Sequence, residues 1–178
     1  MFKLLMLLVL ISCSSGKVTT NTDVIKASLI NVTKFTNFTD KEIVKAKKYI
    51  PLMESVVKSQ CFEDFMVARK MIKTDGLSNK EVVAKLRGTT VDIELIAYYK
   101  RFSYVAGYTE PGAKWIKINR KYHTGASLCS EASNLYHELS HKIGFGHTNK
   151  GTSIRKYSVP YSINDAFKVC CENPVNLK

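Results

Sequence analysis

The chain has 178 residues, 45% hydrophobic and 24% charged, which suits one globular domain with its own core and excludes disorder over most of its length. Its formal net charge is +12, and the lysines are spread through nearly every segment, as on a solvated basic surface or one that attracts an acidic partner. There is no paired-cysteine finger, no RNP-like aromatic strand and no basic region running into heptads, so no nucleic-acid partner is expected.

At the amino terminus Lys3 precedes eight apolar residues, Leu4–Ile11, and the small residues Ser12 to Gly16 follow. This is the three-part plan of a secretory signal peptide, with an apolar run too short to span a bilayer as a mature helix. Residues 1–16 are therefore expected to direct export. Leu10-Ile11-Ser12-Cys13 also resembles a bacterial lipobox, which would leave Cys13 as a lipidated first residue anchored to a periplasmic or cell-surface membrane; ordinary cleavage near Gly16 and secretion is the alternative.

Five cysteines are an odd count for an exported chain. Without Cys13, the remaining Cys61, Cys129, Cys170 and Cys171 suit two disulfides in an oxidising compartment. The neighbours Cys170 and Cys171 cannot readily bridge each other. Each is expected to pair with one of Cys61 and Cys129, in an order that stays open.

Residues 17–37 are rich in Ser, Thr, Asn and Lys and read as a linker, with a short strand around Val24 to Val32. Residues 38–178 read as the domain. Thr39-Asp40-Lys41-Glu42 is a capping box opening a helix through Ile43, Ala46 and Ile50. Pro51 would kink that helix or start another. Helical spacing continues over Leu52–Lys58 and Cys61–Ile72. A second capping box, Ser78 to Glu81, opens a helix that should stop at a C-cap glycine, Gly88. The period then changes to strand. Val91–Tyr99, Tyr104–Tyr108 and Trp115–Ile118 are β-branched and aromatic, with a turn at Glu110-Pro111-Gly112. A small sheet follows from these, antiparallel where links are short. The last helix precedes a tail expected to be irregular. Nothing in the sequence calls for an oligomer, and a monomer is expected.

That last helix carries the chemistry. Residues 137–147 read His137-Glu138-Leu139-Ser140-His141-Lys142-Ile143-Gly144-Phe145-Gly146-His147 and hold three of the chain's four histidines. His137 and His141 stand at i and i+4, on one helix face about a turn apart, where two imidazoles can converge on one zinc ion. Glu138 is rotated roughly 100° from His137 and would face the water beside the metal, not the metal itself. It can take that water's proton and later pass one to the leaving amine. Gly144 would let the chain leave the helix in a left-handed turn and bring His147 back as third ligand, with the fourth position open. The whole pattern arises by chance in roughly one chain in 10⁵, so an ordinary core helix with incidental histidines is a poor account of it. Ala132, Leu135, Leu139 and Ile143 recur every three to four residues and give the helix an apolar stripe, off which the histidines lie.

The H-E-x-x-H-x-x-G-x-x-H motif resembles that of the metzincin metallopeptidases. The resemblance implies a single zincin-like α+β domain, with a small twisted mixed sheet packed on the active-site helix and a helical amino-terminal part. It implies a zinc endopeptidase acting on protein or peptide substrates, which would add a strand at the sheet edge near Tyr104–Tyr108. Metzincins carry a methionine turn below the metal, but no methionine follows His147 here. A loose alignment sets Ser158, Val159 and Tyr161 against the Ser, Met and Tyr of that turn. Tyr161 would then stabilise the oxyanion of the transition state, with a plain packing aromatic as the alternative. His123, the remaining histidine, reads as a loop or surface residue. The competing functions are a cell-wall peptide hydrolase with the same machinery and a lipid-anchored, non-catalytic zinc-binding protein.

Overall fold

The computed structural model of the chain describes residues 24–148 and 152–172. The expected signal segment with Cys13, and residues 17–23 of the expected linker, lie outside the described residues.

The short strand expected around Val24 to Val32 within the linker reading is present as two strands, the second running on to Thr36. Ile25–Lys26 (β1) and Ile30–Thr36 (β2) pair antiparallel. Ile30, Val32 and Phe35 of β2 point into the core, the alternation slipping by one residue at an irregularity between Val32 and Lys34. The polar residues that suggested a linker are the outward face of a strand that pairs on both sides.

Val91–Tyr98 (β3), Gly107–Tyr108 (β4) and Trp115–Asn119 (β5) complete one five-stranded mixed sheet of order β1-β2-β3-β5-β4. β2, β3 and β5 run parallel and the two edges antiparallel. The parallel pairing of β2 with β3 follows from the three helices between them, since a parallel pair needs a long crossover. The short turn at Glu110-Pro111-Gly112 gives the antiparallel β4–β5 pair that its length predicts. The strand expected over Tyr104–Tyr108 contracts to two residues. Upstream of it the Asn119 amide binds the Val105 and Lys100 carbonyls and holds the chain as a loop, on which Tyr104 is 95% exposed.

Both capping boxes form, at Thr39 and Ser78. The first helix, α1 (Asp40–Lys58), runs on through an exposed Pro51 where a kink or a new start was expected. The next, α2 (Gln60–Ala68), stops four residues before Ile72. In α3 (Asn79–Gly88) the glycine is the last helical residue and Thr89 an extended cap, so no left-handed glycine ends it. A short α4 (Arg120–His123) leads to the motif helix α5 (Leu128–Lys142), which packs against both α1 and α7.

The tail expected to be irregular contains α6 (Thr152–Arg155) and α7 (Val159–Cys170). In α7 proline stands at the second helical position, and Val159, Ile163, Ala166, Phe167 and Cys170 form a buried stripe. Disulfides Cys61–Cys170 and Cys129–Cys171 settle the pairing order and fasten the end of α7 to α2 and to the start of α5. Two such bonds fit an oxidising, extracytoplasmic compartment. No helix among the described residues is long and apolar enough to cross a membrane.

His123 is not on the surface. It is 2% exposed, packed edge-on against Phe38 and Tyr49, with Nδ1 2.7 Å from Glu131 Oε2. Glu131 also meets Lys45 at 3.4 Å. A histidine at the end of a four-residue helix can face inward because this carboxylate accompanies it into the core.

Candidate metal centre and its cleft

The motif helix buries Ala132, Leu135, Tyr136 and Leu139 on one side and turns His137, Glu138 and His141 to the other. It ends as its glycine predicts. Gly144 has φ +107°, its amide donates to the His141 carbonyl, and the Phe145 amide donates to the Ser140 carbonyl. This pair of bonds is a Schellman motif, which satisfies the last helical carbonyls and reverses the chain. The reversal carries His147 back to the other two histidines.

One ring nitrogen from each of His137, His141 and His147 lies within 4.8 Å of the others. The Nε2 atoms of His137 and His147 are 3.3 Å apart. Two nitrogens each about 2.05 Å from a tetrahedral zinc stand roughly 3.3 Å apart, so the spacing fits a metal ion.

The outer ring nitrogens support the same arrangement. His141 Nδ1 lies 2.7 Å from the Phe145 carbonyl, and His147 Nδ1 lies 3.0 Å from Ser158 Oγ. An Nδ1–H donated outward leaves the Nε2 lone pair facing the centre. His137 Nδ1 is buried without an in-line partner. Burial, then the charges of His141 and His147, lowers the pKa of His137 to about 3. Burial, then His141 and Arg155, lowers His147 to about 4, and burial is also the main cause of the downward shift of His141. The three rings are therefore neutral near pH 7, the state a metal requires.

Ser158 is the N-cap of α7, yet its side chain makes no cap bond to its own helix. The hydroxyl meets His147 instead. Ser158→Ala is expected to weaken zinc binding about tenfold to a hundredfold, with helix content unchanged. A chelator-competition titration beside far-UV circular dichroism checks both.

Glu138 is 6% exposed, and burial pushes its carboxyl up to about 7 against the opposing effect of Lys142. The edge strand crosses close above it. A Cβ on Gly107 would stand 3.2 Å from Glu138 Cγ and 2.9 Å from Asn134 Nδ2. Only a glycine lets the strand come this near. Tyr161, in the first turn of α7, has its ring centroid 4.7 Å from that of His147 and 5.2 Å from that of His137.

These groups line an open cleft of about 410 Å³, walled by Tyr104 to Thr109 along the sheet edge and by Asn134, Arg155 and Asn164 around the histidines. The sequence reading had singled out the three histidines, Glu138 and Tyr161, and the fold brings all five together. Gly107, Asn134, Arg155 and Asn164 were missed, and Ser158 had been noted only for its place in the turn alignment. Asn134 stands three and four residues before His137 and Glu138 on the same helix, so helical spacing could have found it; Gly107, Arg155 and Asn164 reach the cleft from other elements and carry no such signal.

Comparison of the chain with protein-family models, with curated proteins and with solved structures gives no match in any of the three. The α+β fold and the three-histidine centre thus define this protein by their own geometry, as a domain equipped to hold one metal ion in an open cleft.

Proposed function

We propose that the chain is an exported zinc-dependent endopeptidase that hydrolyses peptide bonds in extracytoplasmic proteins or peptides. One observation carries the reading. Three imidazoles converge at an open cleft, and a buried carboxylate, Glu138, stands on the helix that carries two of them and lines the same cleft. An all-imidazole set with room for a further ligand suits zinc in a catalytic role, whereas a structural site would be closed by a fourth protein ligand. Zinc held there would supply Lewis acidity, polarising the scissile carbonyl and lowering the pKa of water.

The chain's own groups account for the rest. Glu138 would accept the proton of the attacking water and pass it to the leaving amine. Tyr161, whose ring packs against two of the histidines, would donate its hydroxyl to the oxyanion of the transition state. The free side of β4 would take an extended peptide as an added strand, so that the scissile bond lies over Glu138. The motif is that of the metzincins. At the place of their methionine stands Val159, fully buried, which offers packing but no thioether. The apolar leader and the two disulfides support export, and Cys13 would provide a lipid anchor.

The test is cleavage of a denatured protein mixture by the mature protein, with bound metal quantified, beside Glu138→Gln and a chelator-treated control. Cleavage by the untreated wild type alone would support the reading. Zinc bound without cleavage of protein, peptide or cell-wall substrates would replace it with a binding role. Gly107→Ala probes the strand placement. The added methyl would crowd Asn134 Nδ2 first and Glu138 Cγ next, and hydrolysis should fall about tenfold to a hundredfold with bound zinc unchanged.

A further inference from the structure

We propose that Arg155 binds a substrate carboxylate and directs hydrolysis to peptides with an acidic group within a residue or two of the scissile bond. This rests on the peptidase reading above. Of the described residues lining the cleft, only Glu138 and Arg155 bear formal charge, and on the reading above Glu138 would be the base. The Arg155 guanidinium carbon lies 5.5 Å from the centroid of the Tyr161 ring, which itself stacks at 4.7 Å on His147. The cation is thus held beside the reacting centre, on the side of the third histidine.

Among the described residues its guanidinium is not neutralised by a carboxylate, a condition it shares only with Arg101, which lies over Phe102 outside the cleft. Arg69, Arg87 and Arg120 each pair with a carboxylate, of Asp165, Glu63 and Glu42 respectively. A guanidinium presents a planar fork matched to a carboxylate, and because Arg155 is exposed at the cleft its fork is free to turn toward a substrate. A neutral peptide would leave those donors to water. The chain's net charge of +12 adds a field that draws acidic substrates in. The cleft adjoins a second depression of about 320 Å³ between α5 and α7, and the two share Ala106, Asn134 and Asn164. A substrate chain therefore has room beyond the scissile bond. The carboxylate recognised is an Asp or Glu side chain or a free carboxyl terminus.

The zinc-loaded mature protein would be assayed on peptides amidated at the carboxyl end, with Asp or Glu beside the scissile bond or with Asn or Gln in their place. A third peptide would be neutral with a free carboxyl terminus. The acidic peptides should be cut about tenfold to a hundredfold more efficiently in kcat/KM than their amide counterparts. Arg155→Gln should erase that difference and leave the neutral peptides within about threefold of wild type. Arg155→Glu should favour lysine at the same place. Faster cleavage of only the peptide with a free terminus would assign Arg155 to the terminal carboxylate. Equal cleavage of all peptides, or a preference that survives Arg155→Gln, would overturn the proposal and leave the peptidase reading standing. Peptide affinity for zinc-loaded Glu138→Gln, with and without Arg155→Gln, separates the two further. An arginine-dependent acidic preference in binding, from a wild type that cleaves nothing, would sink the peptidase reading and keep the carboxylate site. Absence of any such preference in binding would count against Arg155.

Discussion

Glu138→Gln is expected to lower peptide hydrolysis by about a thousandfold, within the range for loss of a general base, while zinc stays bound at about one per chain. The substitution keeps the side chain's length and removes only its ability to take a proton. Glu138 is not placed as a metal ligand, and the three nitrogens that converge do so without it. Its surroundings explain the size of the effect. The carboxylate is nearly buried beneath Gly107, and burial has raised its pKa to about 7, close to the value at which a base can both accept and return a proton. Retained activity with the amide would show that another group moves the proton; among the described residues the other charged side chain on the cleft wall is Arg155, which cannot. Steady-state kinetics with metal analysis of both proteins decides the matter.

His141→Ala is expected to reduce zinc affinity by roughly a hundredfold to a thousandfold and to abolish hydrolysis with it. A four-ligand zinc site is worth about 10–16 kcal/mol, or roughly 2.5–4 kcal/mol per ligand. The mutation also removes the donor facing the Phe145 carbonyl, so the turn that brings His147 back loses a tie as well as the site a ligand. The protein should still fold without metal, because its core and its two disulfides are independent of the centre. Thermal unfolding with and without added zinc makes the distinction. Wild type should gain stability with zinc by mass action, and His141→Ala should gain little at the same concentration. Unfolding of the variant in the absence of any metal would mean that His141 supports the fold as well as the centre.

Much of the centre was legible because its information is local. The i, i+4 spacing of two histidines, the carboxylate between them and a glycine three residues past the second determine a helix, its end and the return of the chain within eleven residues. The capping boxes at Thr39 and Ser78 were readable for the same reason, as was the small sheet from the change of period after Gly88. Failures came where a segment's role depends on a distant partner. Residues 24–37 have a polar composition, and only pairing with β3 makes Ile30–Thr36 a core strand. His123 has no local reason to be buried, and Glu131 supplies one from another helix. In α7 a buried stripe and a proline near the start were present in the sequence, but the short spacing of polar residues around them concealed the helix.

The sequence by itself determined the grouping of the three histidines with Glu138, the mixture of helix and sheet, and the restriction of each of Cys170 and Cys171 to two partners. These follow from spacing within a few residues, where backbone geometry leaves little choice. Only the tertiary structure decided that Cys61 pairs with Cys170 and Cys129 with Cys171, because both orders close loops of acceptable length and the packing of α7 along α5 selects one. It likewise decided that Ser158 meets His147, that Gly107 lets the sheet edge approach Glu138, and that Arg155, without a carboxylate partner among the described residues, lines the cleft. Each is a contact between elements far apart in the chain, set by how their apolar faces pack and by no pattern along the sequence.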